Sequence, residues 1–332
     1  MSSTRPFLAP PPAYVLEASP KPTFSVIVAA HEAASFIAEA VESALRQTLA
    51  PVELIVVDDG STDDLAGALA AFEPHVTLVR GEHGGPAAAR NRALRFAYGD
   101  FVAVLDADDA YAPDRLAGLQ ELAAARPDLD VLATDATLEV DGRVVGRFNE
   151  TTPFPTGDQR TEILQTCFVC APAIRRSRLE ALGGWDEDLQ TGEDWDLVLR
   201  LVLGGCPVGL VAEPLYRYRL RAGSVTSRRV AALAGRVRLL EKAARRPGLS
   251  GEEERALERS LSTQRRRLLR AEAEVAAVDA AADRRKRALR LAAARGLPLR
   301  DRATALGWSI APSRARRALA TESLPPWKRA SS

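Results

Sequence analysis

The sequence contains little cysteine, few aromatic residues and no long apolar run. The chain has 332 residues, of which three are cysteines, and aromatic residues make up 5% of the chain. A small, odd number of cysteines provides no disulfide framework and fits a reducing cytoplasm. No apolar run approaches the roughly 20 residues that a membrane-spanning helix needs. The sequence therefore predicts neither a disulfide-stapled scaffold nor a membrane-spanning helix.

Two of the cysteines, Cys167 and Cys170, form a single C-x-x-C motif. A structural zinc site needs two further ligands, and the neighbouring sequence offers neither a second pair of cysteines nor histidines. We therefore interpret the motif as two partly buried thiols without a metal. His75 and His83 fall in predicted loops, and the sequence assigns them no function.

Hydrophobic residues make up 46% of the chain, and its net charge is +1, which is typical of a globular protein of one large or two modest domains. The charge is unevenly distributed. Residues 1–225 carry 19 basic and 33 acidic side chains, whereas residues 226–332 carry 26 basic and 11 acidic ones. The two parts have net charges of −14 and +15, which predicts two domains with different surfaces.

The amino-terminal 21 residues have prolines at positions 6, 10, 11, 12 and 20 and no long apolar stretch. Such a segment is typical of a flexible arm rather than a signal peptide. The predicted organisation is therefore a Pro-rich arm over 1–21, a folded domain over 22–225 and a basic, Ala/Arg-rich helical region over 226–332.

Apolar strands alternate with helix-like segments in the acidic part. "FSVIVAA" (24–30) and "ELIVV" (53–57) are continuous apolar runs, typical of strands covered on both faces. Further strands are predicted at 76–79 and 101–105. One helix is predicted over 32–47, where apolar residues recur every three or four positions. A second helix is predicted to begin at Leu65, with Thr62 or Asp63 as its N-cap. A third is predicted over 86–99. This alternation predicts an α/β fold.

Carboxylates gather where two of these strands end. Asp58 and Asp59 follow one strand, and "DADD" (106–109) follows another. Ligands bind outside the carboxyl ends of strands in such sheets, and clustered carboxylates repel each other unless a cation joins them. Mg²⁺ or Mn²⁺ uses one or two protein carboxylates and completes its shell with phosphates. The sequence favours a metal and a nucleoside diphosphate here, although Asp is also common in ordinary turns.

Five segments, taken in order, resemble the family-two glycosyltransferases. They are "SVIVAAHEAASFIAEAVESALRQT", "ELIVVDDGSTDD", "GGPAAARNRAL", "VLDADDAYAPDRL" and "GGWDEDLQTGEDWDLVLRL". The resemblance covers about residues 22–225. It implies a GT-A fold, which is a Rossmann-like mixed sheet flanked by helices, here followed by the α-helical C-terminal region. It also implies a hexosyltransferase-type enzyme. Such an enzyme transfers a sugar from a nucleoside diphosphate donor to an acceptor hydroxyl, with inversion at the anomeric carbon.

The resemblance assigns the base-side wall of the donor site to Ala29, His31 and Glu32. The family usually has an aromatic residue and an asparagine where this chain has His31 and Glu32. Imidazole can still stack on a base. Asp59 resembles the carboxylate that accepts a hydrogen bond from the N3–H of uracil or thymine, so a UDP- or dTDP-sugar is favoured, and Asp58 would orient the turn.

The diphosphate side follows in the same way. Asp108 resembles the direct metal ligand, and Asp106 resembles its partner, which reaches the ribose or a metal-bound water; Asp109 is interpreted as structural. Arg90 resembles the arginine that lies along the nucleotide, although an ordinary solvated helix arginine remains an alternative. Arg221 stands where many relatives have a histidine, and its guanidinium can bind diphosphate oxygens but cannot ligate a metal.

Asp194, in "TGEDWD", resembles the catalytic base that removes the proton from the acceptor hydroxyl. A carboxylate at the start of a helix is also what ordinary capping preferences produce. If the base lies elsewhere, Glu193 and Asp196 are the next candidates. Trp185 is either a stacking platform for the acceptor or a core residue, and the same alternatives apply to Trp195.

The basic region after residue 226 has a helical composition. One helix should end near "RRPG" (245–248), and Ser250 with Glu253 forms a capping box for the next. That helix has an imperfect seven-residue seam at Leu261, Leu268, Val275, Ala282 and Leu289. Its basic faces could be solvated, could contact the acidic domain or could lie on anionic lipid, and the helices could form a homo-oligomer.

The sequence thus predicts a cytoplasmic, metal-dependent glycosyltransferase, peripheral to the inner face of the membrane if its tail binds lipid. Its acceptor would be a glycan, a lipid-linked sugar or a small molecule in cell-surface polysaccharide or glycoconjugate synthesis. A catalytically silent nucleotide-sugar-binding or scaffolding protein is the alternative. A nucleic-acid-binding protein is disfavoured because the basic region lacks interleaved aromatic residues and a known module.

Overall fold

The computed structural model describes residues 21–220 and 229–278, with side chains to residue 272. The predicted arm, Arg221 and the seam positions Ala282 and Leu289 lie outside the described residues. The strands are β1 (Phe24–Ala30), β2 (Glu53–Asp59), β3 (Thr77–Gly81), β4 (Phe101–Asp106), β5 (Ala110–Tyr111), β6 (Val131–Val140), β7 (Arg143–Arg147), β8 (Ala173–Arg175) and β9 (Val208–Arg219).

Helices of very different lengths connect these strands. They are α1 (Ile37–Leu45), α2 (Leu65–Leu69), α3 (Pro86–Leu94), α4 (Arg115–Ala125), α5 (Phe148–Thr151), α6 (Gln159–Ile163), α7 (Arg176–Leu182), α8 (Glu193–Leu203), α9 (Arg229–Ala243) and α10 (Gly251–Val278). No helix in the described ranges is both long and apolar enough to cross a membrane.

Within the described residues the strands form one mixed sheet in the order β3-β2-β1-β4-β8-β6-β9-β5, with β7 paired to β6. The β3, β2, β1 and β4 strands are parallel to one another, and β6 is parallel to β9. The β8 strand is antiparallel to both of its neighbours. This mixed sheet flanked by helices confirms the predicted α/β architecture.

The central strands are covered on both faces, as their continuous apolar runs predict. Along β1, Ile27 belongs to the core on one face, and Val26 and Val28 belong to the core on the other. Helices α3, α8, α9 and α10 contribute to the first core, and α1, α2 and α4 contribute to the second. Successive strand residues point to opposite faces, so an uninterrupted apolar run fills two cores at once.

Helix α1 begins at Ile37, later than the predicted start at residue 32. Glu32 has φ +51°, which is incompatible with a helix. Its backbone N–H donates to Ser61 Oγ at 3.1 Å, and the N–H of Ala34 donates to Asp63 Oδ2 at 2.8 Å. The turn after β2 therefore holds this segment outside the helix, as a loop.

The predicted cap of α2 was wrong for the same reason. Asp63 is occupied by the preceding loop, and Thr62 donates to Glu32. Asp64 caps the helix instead, since its Oδ1 accepts the N–H of Gly67 at 2.9 Å. A neighbouring residue of the right type thus takes the role when a tertiary contact removes the first candidate.

The basic helices α9 and α10 pack onto the α/β unit. Leu239, Leu240 and Leu257 share a buried core with residues of α8. The Ser250–Glu253 capping box is confirmed, with Ser250 N–H donating to Glu253 at 2.7 Å and Glu253 N–H donating to Ser250 at 3.2 Å. The division at residue 226 stays a prediction, but on the described residues its two sides share one core.

Candidate active site

The carboxyl ends of β1, β2 and β4 meet at one edge of the sheet. Ala30 of β1 is level with Asp58 of β2, and Ala29 is level with Asp106 of β4. Ala29, predicted to line the donor site, therefore lies between the two acidic strand ends. Asp58 Oδ1 accepts the N–H of Ser61 at 2.9 Å. This bond confirms that Asp58 orients the turn.

Two histidine rings stack beside this edge. His31 follows β1 and His83 follows β3, and their ring centroids are 4.1 Å apart with an interplanar angle of 25°. The Nδ1 atoms of both rings lie near the carbonyl oxygen of Asp59, at 2.9 Å from His31 and 3.1 Å from His83. His83, to which the sequence assigned no function, is thus part of the predicted base-side wall.

The Asp59 carboxylate organises the loop before α3. It is buried, with Oδ1 accepting the N–H of Gly84 at 3.0 Å and Oδ2 accepting the N–H of Gly85 at 2.8 Å. His83 Nδ1 also lies 2.9 Å from Oδ2. Gly85 has φ +90° where it caps α3, a conformation that favours glycine. Asp59 therefore fixes both the histidine and the start of α3.

Glu32 closes the outer side of the wall. Its Oε1 accepts the backbone N–H of Thr62 at 2.7 Å and the Thr62 hydroxyl at 2.9 Å. These two hydrogen bonds lower the pKa of the Glu32 carboxyl below its usual value. The carboxylate remains ionised and ties the loop after β1 to the turn after β2.

The acidic segment after β4 divides into an accessible part and a buried part. Asp106 has a side chain that is 37% exposed, and Asp108 is half-buried. Asp109 is buried and accepts the Tyr216 hydroxyl at 2.7 Å and the backbone N–H of Arg219 at 2.8 Å. Burial and the nearby Asp106 carboxylate raise the pKa of Asp109. These contacts support the structural role predicted for Asp109.

Arg90 joins the donor side to the base side of the site. Its guanidinium donates to Asp106 at 2.7 Å and to Glu193 at 2.8 Å, and it lies 3.0 Å from Asp194. Burial opposes the charge on Arg90, but the carboxylates of Asp194, Asp106 and Glu193 raise its pKa well above the usual range. The alternative of a solvated helix arginine is therefore wrong. The buried Nε of Arg90 has no hydrogen-bond partner among the described residues.

Asp194 lies in the first turn of α8, which begins after Gly192 with φ +83°. Its side chain is 43% exposed, and its Oδ1 accepts the indole N–H of Trp185 at 3.1 Å. Desolvation raises the pKa of Asp194 to about 7, against the opposing effect of Arg90. A half-ionised, partly exposed carboxyl group at neutral pH is suited to proton transfer.

The two other candidate bases are already engaged. Glu193 is buried and bound to Arg90, and Asp196 is buried and bound to Arg200 at 2.6 Å. Trp185 and Trp195 are both core residues, which decides between the two alternatives that the sequence left open. Trp185 instead holds the carboxylate of Asp194 in place.

The donor set fits a divalent cation that also binds substrate phosphates. No group of three or more His, Cys, Asp or Glu side chains in the described ranges is arranged to hold a metal by itself. Asp106 and Asp108 are the two accessible carboxylates of this segment, and Mg²⁺ or Mn²⁺ typically uses one or two protein carboxylates when a diphosphate completes its shell. One oxygen of Asp106 also accepts a hydrogen bond from Arg90.

Residues 25–183 match the family model described as glycosyl transferase family 2. This segment, a little under half of the chain, is similar to glycosyltransferase family 2. The succinoglycan biosynthesis protein ExoU of Rhizobium meliloti (strain 1021) is 32% identical over 225 residues, which are 60% of this chain and 63% of that protein. ExoO of the same organism is 32% identical over 218 residues. The chain thus spans a little under two thirds of these relatives.

Solved structures of two other proteins share the fold. Mannosyltransferase PcManGT from Pyrobaculum calidifontis, in complex with GDP-Man and Mn²⁺, gives a TM-score of 0.61 at 21% identity and covers 94% of this chain and 84% of its own. S. aureus TarS 1–349 in complex with UDP-GlcNAc gives a TM-score of 0.60 at 19% identity, and the match covers 89% of this chain and 92% of the TarS chain. The GT-A fold predicted from the five segments is confirmed.

Proposed function

We propose that this protein is an inverting, metal-dependent glycosyltransferase of polysaccharide or glycoconjugate synthesis. The observation that carries the proposal is the bridge made by Arg90. One buried guanidinium contacts Asp106, which belongs to the acidic segment predicted to bind the donor's diphosphate, and Asp194, the predicted base. The groups proposed for the two halves of the reaction would thereby be held next to each other.

The donor would enter along the edge formed by β1, β2 and β4. Its base would lie beside His31 and His83, whose stacked rings offer an aromatic face with polar edges. Asp59 holds His83 in place and is the candidate for contact with the base N3–H. A UDP- or dTDP-sugar fits these groups, and the solved relatives that contain UDP-GlcNAc or GDP-Man support a nucleotide-sugar donor.

Asp106 and Asp108 would hold the cation at the diphosphate. When bound, a divalent cation supplies Lewis-acid stabilisation of the negative charge that develops on the leaving diphosphate. Arg219 supports this segment from β9, with its backbone N–H on Asp109 and its guanidinium 3.3 Å from the carbonyl oxygen of Asp108. These bonds hold the backbone of the acidic segment against β9.

Asp194 would take the proton of the acceptor hydroxyl while that oxygen attacks the anomeric carbon. The attack comes from the face opposite the diphosphate, so the configuration inverts in a single displacement. Trp185 orients the Asp194 carboxylate by its indole N–H. Arg90 limits the rise in the pKa of Asp194 and thereby keeps a fraction of it ionised at neutral pH.

The metal assignment predicts a specific loss in the Asp108→Asn variant. UDP should bind the wild-type protein at least about tenfold more tightly with Mn²⁺ than with chelator, because the cation links carboxylate to diphosphate. In Asp108→Asn the two affinities should become equal, since a neutral amide is a much weaker ligand for a hard cation. Isothermal titration calorimetry with UDP measures both.

The matched control is Asp128→Asn, the same change at an exposed carboxylate whose ion pair among the described residues is with Arg126 at 2.7 Å. This variant should keep the full Mn²⁺ enhancement. Equal UDP affinity with chelator and with Mn²⁺ in the wild-type protein would contradict the metal assignment.

A further inference from the structure

A half-buried arginine on α9 has no partner in the described part of the chain. No hydrogen bond or ion pair joins the side chain of Arg236 to another residue of 21–220 or 229–278. The four arginines that are buried all have partners: Arg90 and Arg200 bind carboxylates, Arg115 binds Thr134 and a carbonyl, and Arg219 binds Glu39. An accessible, partly desolvated guanidinium without an anion is suited to bind one from solution.

Arg236 lies beside the loop that carries the proposed base. Its helix packs so closely on that loop that a Cβ on Gly192 would come within 2.9 Å of Leu239 and 3.8 Å of the backbone nitrogen of Arg236. Gly192 is two residues before Asp194. Gly235 is equally close, because a Cβ there would lie 2.1 Å from the Thr191 hydroxyl. No larger residue fits at either glycine without moving the helix or the loop.

The Cys167 thiol connects the two charged groups in space. The pKa of this thiol is raised to about 12, mainly by burial; the Asp194 carboxylate also raises it, and the Arg236 guanidinium lowers it. The thiol therefore lies within electrostatic reach of both groups.

A second arginine reinforces the positive charge. Arg267 of α10 lies near Arg236, and the Glu241–Arg265 ion pair at 2.7 Å joins the same two helices. Burial and then the repulsion from Arg267 lower the pKa of Arg236. Tyr218 of β9 also lies within electrostatic reach of Arg236. Two like charges held near each other without a counter-ion are unfavourable until an anion binds.

We propose that Arg236 and Arg267 form an anion subsite for a phosphate group of the acceptor. The inference rests on the proposed function and specifies its acceptor class. Because the subsite lies beside Asp194, it would hold the phosphate while the hydroxyl to be glycosylated reaches the base. A phosphate dianion or a diphosphate neutralises both arginines, whereas a single carboxylate neutralises one. The phosphate could belong to a phosphorylated glycan or to a lipid-linked diphosphate sugar.

The test uses inorganic pyrophosphate as the probe, with the full chain and EDTA present. Without metal, the carboxylates of the donor site repel the probe, so binding reports the arginine subsite. Calorimetry should show binding to the wild-type protein and at least about tenfold weaker binding to Arg236→Gln, because a bidentate guanidinium contact is lost. Arg267→Gln should show a smaller loss, and Arg236→Lys, which keeps the charge, should lie between wild type and Arg236→Gln.

Arg238→Gln is the matched control, since Arg238 is exposed on the same helix. It should bind pyrophosphate as the wild-type protein does. Equal binding by Arg236→Gln and wild type, or an equal loss in Arg238→Gln, would overturn the subsite. Glucose 1-phosphate and farnesyl diphosphate are then compared as competitors of pyrophosphate, which distinguishes a phosphorylated sugar from a lipid diphosphate. Binding of the competitor with the higher affinity should require Arg236.

The outcome separates this inference from the proposed function. Arg236→Gln should keep the Mn²⁺-dependent affinity for UDP, because Arg236 contacts no residue of the donor edge in the described ranges. Lost pyrophosphate binding with intact UDP binding supports the subsite. Wild-type protein that binds UDP without any effect of metal would count against the proposed donor site, whatever happens to pyrophosphate.

Discussion

Asp194→Asn should lower kcat by roughly 10²- to 10⁴-fold, which is the usual contribution of a positioned general base. Donor affinity should change little, because the substituted group lies on the acceptor side of Arg90. The amide is nearly the same size as the carboxylate. Its oxygen can still accept from Trp185, which is 3.1 Å from Asp194, and from Arg90 at 3.0 Å. The substitution therefore removes basicity with little change in geometry.

Asp188→Asn is the matched control for this variant. Asp188 has an 86% exposed side chain in the loop just before α8 and pairs weakly with Lys242 at 3.4 Å. The same chemical change there should leave kcat within about twofold, since exposed substitutions have small effects. If Asp194 only caps α8, the Asn variant should lose at most about 1 kcal/mol of stability and keep its turnover. Near-normal kcat in Asp194→Asn would place the base elsewhere.

The pH dependence of kcat/KM follows from the same group. The pKa of Asp194 is about 7, raised by desolvation from its usual value. The base form is the deprotonated one, so kcat/KM should fall tenfold per pH unit below about 7 and level off above it. In Asp194→Asn this acidic limb should disappear from the residual activity. A wild-type profile that is flat from pH 5 to 8 would contradict the assignment of Asp194.

Arg90→Met should destabilise the protein by about 3–5 kcal/mol, the usual cost of leaving buried charges without their partner. Glu193 is buried, and with Asp106 and Asp194 it would form three neighbouring carboxylates with no cation among them. Transfer activity should also fall, because Arg90 would no longer join Asp106 at the end of β4 to Asp194 at the start of α8. Urea unfolding measures the free energy, and the transfer rate measures the second effect.

Arg95→Met is the control, since Arg95 is an exposed residue just after the same helix. It should change stability by no more than about 0.5 kcal/mol. If Arg90→Met does not fold at all, Arg90→Lys still decides the question. A lysine keeps the charge but cannot reach three carboxylates with one planar fork, so it should fold and lose activity. Stable, active Arg90→Met would contradict the proposed bridge.

The strands of the site were predictable because their signals are local. The runs over 24–30 and 101–105 correspond to β1 and to all but the last residue of β4, and the carboxylates that follow lie at the predicted edge. The sheet places Ala29 level with Asp106, as the ends of parallel neighbours must be. Sequence pattern and known topology rules are enough to locate the site to this extent.

The contacts within the site were not predictable in the same way. Arg90 and Glu193 are 103 residues apart, and no periodicity encodes their meeting. His83 looks like an ordinary loop residue until the parallel pairing of β2 with β3 brings it to Asp59. Trp185 was left between core and acceptor platform because burial depends on the packing of α8. The only local signal was its place in a family-like segment that also contains Asp194.

The unpaired Arg236 could not be found from composition either. The basic region contains many arginines, and charge counting treats them alike. What distinguishes Arg236 is its partial burial and, in the described part of the chain, the absence of a carboxylate partner, and both depend on how α9 packs.

The central claim is single-displacement transfer from a nucleoside diphosphate sugar. Proton NMR of reactions with α-linked UDP- and dTDP-hexoses, Mn²⁺ and a panel of phosphorylated and neutral hexoside acceptors tests it most directly. We expect the wild-type protein to consume at least one donor and to form a β-linked product, and we expect Asp194→Asn to form the same product far more slowly. An α-linked product, or equal rates for the two proteins, would contradict it.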